Sequence, residues 1–266
     1  MTDRPAPRQP VLFVSHGAPD MVLGRSPTRT FLTGLGGLLP AVPRAILVVS
    51  AHWRAGVPTV GTAARPATIH DFYGFPEPLY RLHYPAQGDA ALAARVRDLL
   101  LAAGLPVAED AERGLDHGAW TPLMLAWPAA DVPVVGLSLA ETDAAGHLAI
   151  GEALAPLADE NVLVLASGSL THDLRGFFHH RAAGGEADYA AAFADWVAKA
   201  VTAGDLDALA DWRKRAPHGP DNHPTDEHLM PLMVAAGAGA GRSPRLLHRA
   251  VEGRVLRLDA WGWACV

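Results

Sequence analysis

Three apolar runs in this chain each lead to a histidine, and that repetition limits what the chain can fold into. Val11-Leu-Phe-Val runs into Ser15-His16-Gly17, and Ala45-Ile-Leu-Val-Val runs into Ser50-Ala51-His52-Trp53. Val162-Leu-Val-Leu-Ala166 continues through Ser167-Gly168 to His172-Asp173. Short apolar stretches rich in Val, Ile and Leu read as buried strands. In an open α/β sheet, ligands bind just outside the carboxyl ends of the strands. Three imidazoles delivered there converge, and the residues read as a mononuclear metal site. Small neighbours, Gly17, Ser50, Ala51 and Gly168, leave room for an ion and a substrate.

The chemistry available to such a site is bounded by composition. The single cysteine, Cys265, excludes an internal disulfide and a Cys-based zinc cluster. With 13 histidines, a transition-metal site must lean on His, Asp and Glu, which suits iron, zinc or manganese. The length of 266 residues and a 50% hydrophobic content fit one large α/β domain, and no repeat or linker divides the chain. Residues 1–10, polar and Pro-rich, read as a flexible arm before a catalytic domain over 11–266. The arm lacks the apolar core of a signal peptide, and no run approaches the roughly 18–20 apolar residues of a membrane span. A net charge of −6 without a basic stripe gives no support for nucleic-acid binding. The expected setting is a reducing cytoplasm.

The remaining elements follow in order. Ser26-Pro27 reads as an N-cap with Pro at N1. Asp89 to Ala103 has helical spacing and ends at Gly104. Thr121-Pro122 reads as another cap, and Val132 to Leu139 as a buried strand. Helices are expected over His147–Leu157 and Gly184–Ala203. Thr225 reads as an N-cap that puts Glu227 and His228 in a first helical turn, and Arg254–Leu258 as the last strand. Between them, residues 54–88 form a long irregular segment rich in aromatics, Gly and Pro, the kind of loop that carries function. Its aromatic part, 68–85, suits one wall of a substrate pocket, and His70, Asp71 and Phe72 are its candidate substrate-binding residues.

A single His at a strand end is more often structural than a ligand, but three with one layout weigh differently. His228 is a fourth candidate. His117, between Asp116 and Gly118, reads equally as an acid–base group or as a turn histidine bonded to Asp116. His223 lies near the proposed site in sequence.

Six motifs then match a known family in order: Ser15-His16-Gly17-Ala18-Pro19, Val49-Ser50-Ala51-His52-Trp53, Thr68-Ile69-His70-Asp71-Phe72, Leu115-Asp116-His117-Gly118-Ala119-Trp120, Ala166 to Leu174, and Pro224-Thr225-Asp226-Glu227-His228. On these the chain resembles the class III extradiol ring-cleavage dioxygenases, of the DOPA-dioxygenase type. The resemblance implies a single α/β domain whose central sheet, mostly parallel or mixed, is flanked by helices. It also implies a non-haem Fe(II) site held by His16, His52 and His228, with Zn²⁺ able to take the place of iron. His172 is implied as a further ligand in zinc-loaded forms or as the acid–base residue, and His117 as an active-site histidine near substrate and oxygen. Other class III enzymes use two His and a Glu, and Glu227 sits beside His228; the subfamily pattern favours His228.

The implied partners are a catecholic substrate and O₂, with both oxygen atoms inserted outside the diol. Two other classes fit the same imidazoles: a zinc hydrolase, and a non-catalytic binding protein on the same scaffold.

Overall fold

The computed structural model describes residues 7–180 and 184–264. The described residues form ten strands: β1 (Val11–Ser15), β2 (Ala45–Ala55), β3 (Thr59–Gly61), β4 (Ala108–Asp110), β5 (Val134–Ala140), β6 (Val162–Gly168), β7 (Pro244–His248), β8 (Val251–Glu252), β9 (Leu256–Arg257) and β10 (Ala260–Trp263). Eight of them make one mixed sheet in the order β4-β3-β5-β2-β6-β1-β10-β7, while β8 and β9 pair separately. The three strands that lead to histidines lie side by side at its centre. β6 runs parallel to both β1 and β2, so all three point their carboxyl ends at the same edge.

Alternate residues of these strands feed two cores, one on each face. Val11, Phe13, Leu47, Val49, Val164 and Ala166 pack on one side. Leu12, Val14, Ile46, Val48, Leu163 and Leu165 pack on the other. Both faces are therefore covered, as an apolar parallel core requires. The helices that cover them are α1 (Pro27–Gly34), α2 (Ala90–Ala102), α3 (His117–Ala126), α4 (Ala144–Leu154), α5 (Leu174–His180), α6 (Asp188–Ala203), three short turns α7 (Leu206–Ala210), α8 (Trp212–Arg215) and α9 (Gly219–Asn222), and α10 (Met230–Ala238). Every residue of α10 is buried, and its composition, apolar on all sides, suits that position. None of the described helices is long and apolar enough to cross a membrane.

Several elements are as the sequence predicts. Ser26 caps α1 by accepting a hydrogen bond from Arg29 N at 3.0 Å, and Asp89 caps α2 by accepting one from Leu92 N at 2.9 Å. Others differ for identifiable reasons. Thr121-Pro122 is not a helix start: Asp116 is the cap, and Pro122 lies inside α3. Thr225 is not a cap either, because its hydroxyl donates to Glu227 Oε1 at 3.0 Å and the helix begins only at Met230. His228 thus sits in the turn before α10. Of the expected last strand, Arg254–Leu258, only Leu256–Arg257 is extended, as β9 of a separate ribbon, and the sheet is completed instead by β10, antiparallel to β1. The N-terminal arm is anchored before residue 10. Gln9 is buried, its N–H donates to Ala158 O at 2.8 Å, and its side chain donates to Asn161 Oδ1 at 2.7 Å. Residues 1–6 and Cys265 lie outside the described residues.

The α4–α10 contact fixes the helix that follows His228. Gly237 faces the Leu148 carbonyl oxygen so closely that a Cβ would overlap it, and Gly151 meets Val234 O in the same way. Gly237→Ala should separate the two helices and cost about 1–3 kcal/mol of stability, as overpacking does. Gly34→Ala, where nothing lies within 4 Å, should be neutral or slightly stabilising. Urea-denaturation midpoints of the two variants check this, and equal midpoints would contradict it.

Candidate metal centre

Each histidine reaches the sheet edge by a different device. His16 follows β1 directly, and its N–H donates to Gly168 O at 3.0 Å. His52 rides on an irregularity in β2. Pairing with β5 jumps from Val49↔Leu137 to Arg54↔Leu139, so Ser50–Trp53 bulge out of the ladder. Such bulges re-aim side chains beside active sites. The turn carrying His228 is pinned by Ser169 N–H donating to His228 O at 2.9 Å. His172 lies beyond β6, and its N–H donates to Asn222 O at 2.8 Å. His117 opens α3.

His16, His52 and His228 bring their Nε2 atoms together. His52 Nε2 is 3.1 Å from His16 Nε2 and 3.3 Å from His228 Nε2. The outer nitrogens fix what faces inward. Ser167 Oγ donates its only proton to the Gly118 carbonyl at 2.5 Å. It must therefore accept from His16 Nδ1–H, which lies 2.9 Å away. His228 Nδ1 is 2.9 Å from Glu227 Oε1, and a carboxylate only accepts. His16 and His228 thus carry their protons outward and present bare Nε2 lone pairs inward. At most one Nε2–H, that of His52, exists among the three. Lone pairs gathered in a buried site are the donor set of a divalent cation, with the outer N–H groups held as metal-ligating histidines hold theirs. Nitrogens bound to one ion at about 2.0–2.1 Å lie about 3.0–3.4 Å apart, which matches the spacing seen. Glu227 faces the outer nitrogen of His228, away from this cluster.

Burial keeps the cluster neutral. Desolvation, reinforced by the neighbouring imidazoles, pushes His16 and His228 well below the usual histidine value. Burial and His117 lower His52 to about 3, against the pull of Asp71. Burial lowers His172 to about 4, opposed by Glu227. All four are free bases at neutral pH.

His117 and His172 flank the three at opposite ends. The His117 ring is 3.9 Å from that of His52, and the His172 ring stacks on His228 at 3.4 Å and 11°. His117 is not bonded to Asp116. Its partner is Asp71, 46 residues away in sequence, which accepts from His117 N–H at 2.8 Å and Nδ1–H at 2.9 Å. Burial alone would raise the Asp71 carboxyl, but the His117 bonds outweigh it and hold it at about 2. Asp116 instead caps α3 and accepts from Ser50 Oγ at 2.5 Å and Arg113 Nη2 at 2.9 Å.

The aromatic segment divides into two layers. Phe72 meets the His117 ring edge at 5.7 Å. His70 is one layer out, packed against Phe72, Tyr80 and Trp120, with its Nε2–H donating to Leu82 O at 3.1 Å. His223 stays outside the cluster: it is fully buried against Phe193 and Trp212 and donates to Leu170 O at 2.9 Å. A cleft of about 740 Å³ opens next to the segment that carries His172. It starts at Asp173, next to His172, and is lined by Arg175, His179, Tyr189, Asp221 and Pro224.

Two residues essential to this geometry escape the sequence reading. Ser167 orients His16, and Gly118 packs where a Cβ would lie 2.5 Å from Ser50 Oγ and 2.8 Å from His52 Cδ2. The recurrence of Ser beside each strand end, Ser15, Ser50 and Ser167, is the signal that points to the first.

Comparison with known proteins places this arrangement. Residues 35–254 match the family described as the catalytic LigB subunit of aromatic ring-opening dioxygenase. A protein of Beta vulgaris named 4,5-DOPA dioxygenase extradiol is 42% identical over 254 residues, 94% of each chain. One of the same name from Escherichia coli K12 is 40% identical, covering 89% of this chain and 88% of that one. The crystal structure of the uncharacterized protein JW3007 from Escherichia coli K12 superposes with a TM-score of 0.81 at 32% identity, over 97% of this chain and 100% of that one. The chain belongs to the LigB family of extradiol aromatic ring-opening dioxygenases.

Proposed function

We propose that the chain is a non-haem Fe(II)-dependent dioxygenase that opens the ring of a DOPA-like catechol, with both atoms of O₂ entering the product. The observation that carries this reading is the set of inward-facing Nε2 atoms on His16, His52 and His228. They would hold the metal, leaving Glu227 to orient His228 from behind. When bound, an ion with three protein ligands lowers the pKa of catechol hydroxyls and offers positions to both reactants. The relatives named for 4,5-DOPA suggest the substrate class.

The chain's own residues supply the rest. His172, kept neutral by burial, and His117 lie on either side of the metal ligands, where a ring nitrogen of each can accept a catechol proton and return it. We assign His172 the second hydroxyl proton, because its ring lies directly over His228. Phe72, with the rings behind it, would bound the substrate plane and exclude water. Were zinc to take the place of iron, His172, stacked on His228, would be the imidazole available as a further ligand on that side.

Protein stripped of metal and reloaded anaerobically with Fe(II) should take up oxygen with DOPA and form a new yellow chromophore. Zn²⁺ loading should give none. Turnover with Zn²⁺, or iron bound without oxygen uptake across a panel of catechols, would overturn the assignment.

His172→Ala should lower kcat by about 10²–10⁴-fold with KM for the catechol changed by no more than a few-fold. Equal loss in both would remove it from proton transfer. Gly118→Ala should push His52 and Ser50 apart and lower bound metal per chain, as measured by elemental analysis on a protein whose circular dichroism is unchanged. Full metal occupancy in that variant would contradict the ligand set.

A further inference from the structure

We propose that Asp71 is a positioning residue that fixes His117 as a proton acceptor facing the site. Both of its carboxylate oxygens grip one residue. Oδ1 accepts the His117 backbone N–H at 2.8 Å, and Oδ2 accepts Nδ1–H at 2.9 Å. The backbone N–H is the first of α3, one of the donors a helix leaves unpaired at its start, and a helix N-terminus favours an anion. With Nδ1–H held by Asp71, the nitrogen of His117 left to face the site and accept a proton is Nε2. Its ring lies 3.9 Å from the His52 ring and 5.4 Å from that of His16, within the group that would surround the substrate.

The grip is built in from both sides. Residues 67–69 are tied to the segment before α3 by Leu115 N–H donating to Ala67 O at 2.7 Å and Ile69 N–H donating to Leu115 O at 2.8 Å. Trp120 Nε1–H, from α3 itself, donates to Ile69 O at 2.9 Å. The loop and the helix that carry the two partners are thus one unit. A direct substrate contact by Asp71 is the competing role, since each oxygen holds one His117 donor and keeps a second lone pair. Oδ2 also lies 3.6 Å from His52 Nδ1, so a test must separate an effect on His117 from an effect on the metal ligands.

Asp71→Asn does so. A side-chain amide has one oxygen and one NH₂, so it cannot accept from both His117 donors. With its oxygen on the backbone N–H, the NH₂ faces Nδ1 and forces the proton to Nε2. In zinc-loaded protein with ¹⁵N-labelled histidine, NMR should show His117 as the Nδ1–H tautomer in the wild type and as Nε2–H in the variant. Bound metal per chain should be unchanged.

The functional half rests on the proposed catechol reaction. With the iron form, kcat should fall about 10²–10⁴-fold, the scale of a wrong-tautomer histidine, with KM within about threefold. Asp71→Glu should recover at least tenfold of that loss. An unchanged tautomer in Asp71→Asn overturns the proposal, as does loss of metal, or a rise in KM at constant kcat, which would make Asp71 a substrate contact. The NMR reading holds even if the wild type opens no catechol ring, so failure of the reaction assignment and failure of this one are distinguishable.

Discussion

Three imidazole nitrogens meet inside the protein at 3.1–3.3 Å with at most one proton, that of His52, among them, so at least two bare lone pairs share one buried space. That is the constraint on which the rest of the structure depends. His52 can carry its one proton on Nε2 as a neutral ring, but a proton on Nε2 of His16 or His228, whose Nδ1–H is already held, would bury a charge, and burial already drives their pKa values down. The fold therefore carries a local cost at the sheet edge, which a divalent cation would remove. Stability elsewhere offsets it. Two apolar cores press on the central strands from both faces, and α10, buried on all sides, holds the turn that bears His228.

The outward hydrogen bonds make the arrangement specific. His16 is fixed through a chain that begins at a proline. Pro122 has no N–H to give to the carbonyl four residues back, so Gly118 O is free to accept Ser167 Oγ, and Ser167 in turn accepts from His16 Nδ1. His228 is fixed more simply, by its neighbour Glu227. A proline inside a helix is usually a defect; here the missing bond is the one the site uses. The same logic, a donor bound outward so that a lone pair faces inward, recurs at His117 with Asp71.

What the sequence makes legible follows from what is local. The three central strands are continuous apolar runs, so they, their histidines and the α/β class can be read directly. The family motifs extend that to His117 and His228. The edges of the sheet are harder: β3 and β4 have three residues each and β7 is partly exposed, so no apolar periodicity marks them. Thr121-Pro122 carries the chemistry of a helix start and misleads because Asp116 caps α3 five residues earlier. Thr225 misleads in the same way, since its hydroxyl is taken by Glu227. The Asp71–His117 pair is invisible because its partners are 46 residues apart, and only the loop's pairing with residues 114–116 brings them together. Neighbouring residues therefore suggest Asp116 as the partner of His117, and one long-range contact puts Asp71 in that place.

Three neutral histidines at the carboxyl edge of the sheet are the proposed holders of a single cation. A crystal structure of zinc-loaded protein, with anomalous data collected on both sides of the metal absorption edge, tests this most directly. One strong anomalous peak is expected about 2.0–2.1 Å from Nε2 of each of His16, His52 and His228, with Glu227 still on Nδ1 of His228. A peak centred on the Glu227 carboxylate, or none among the three imidazoles at full metal loading, would contradict it.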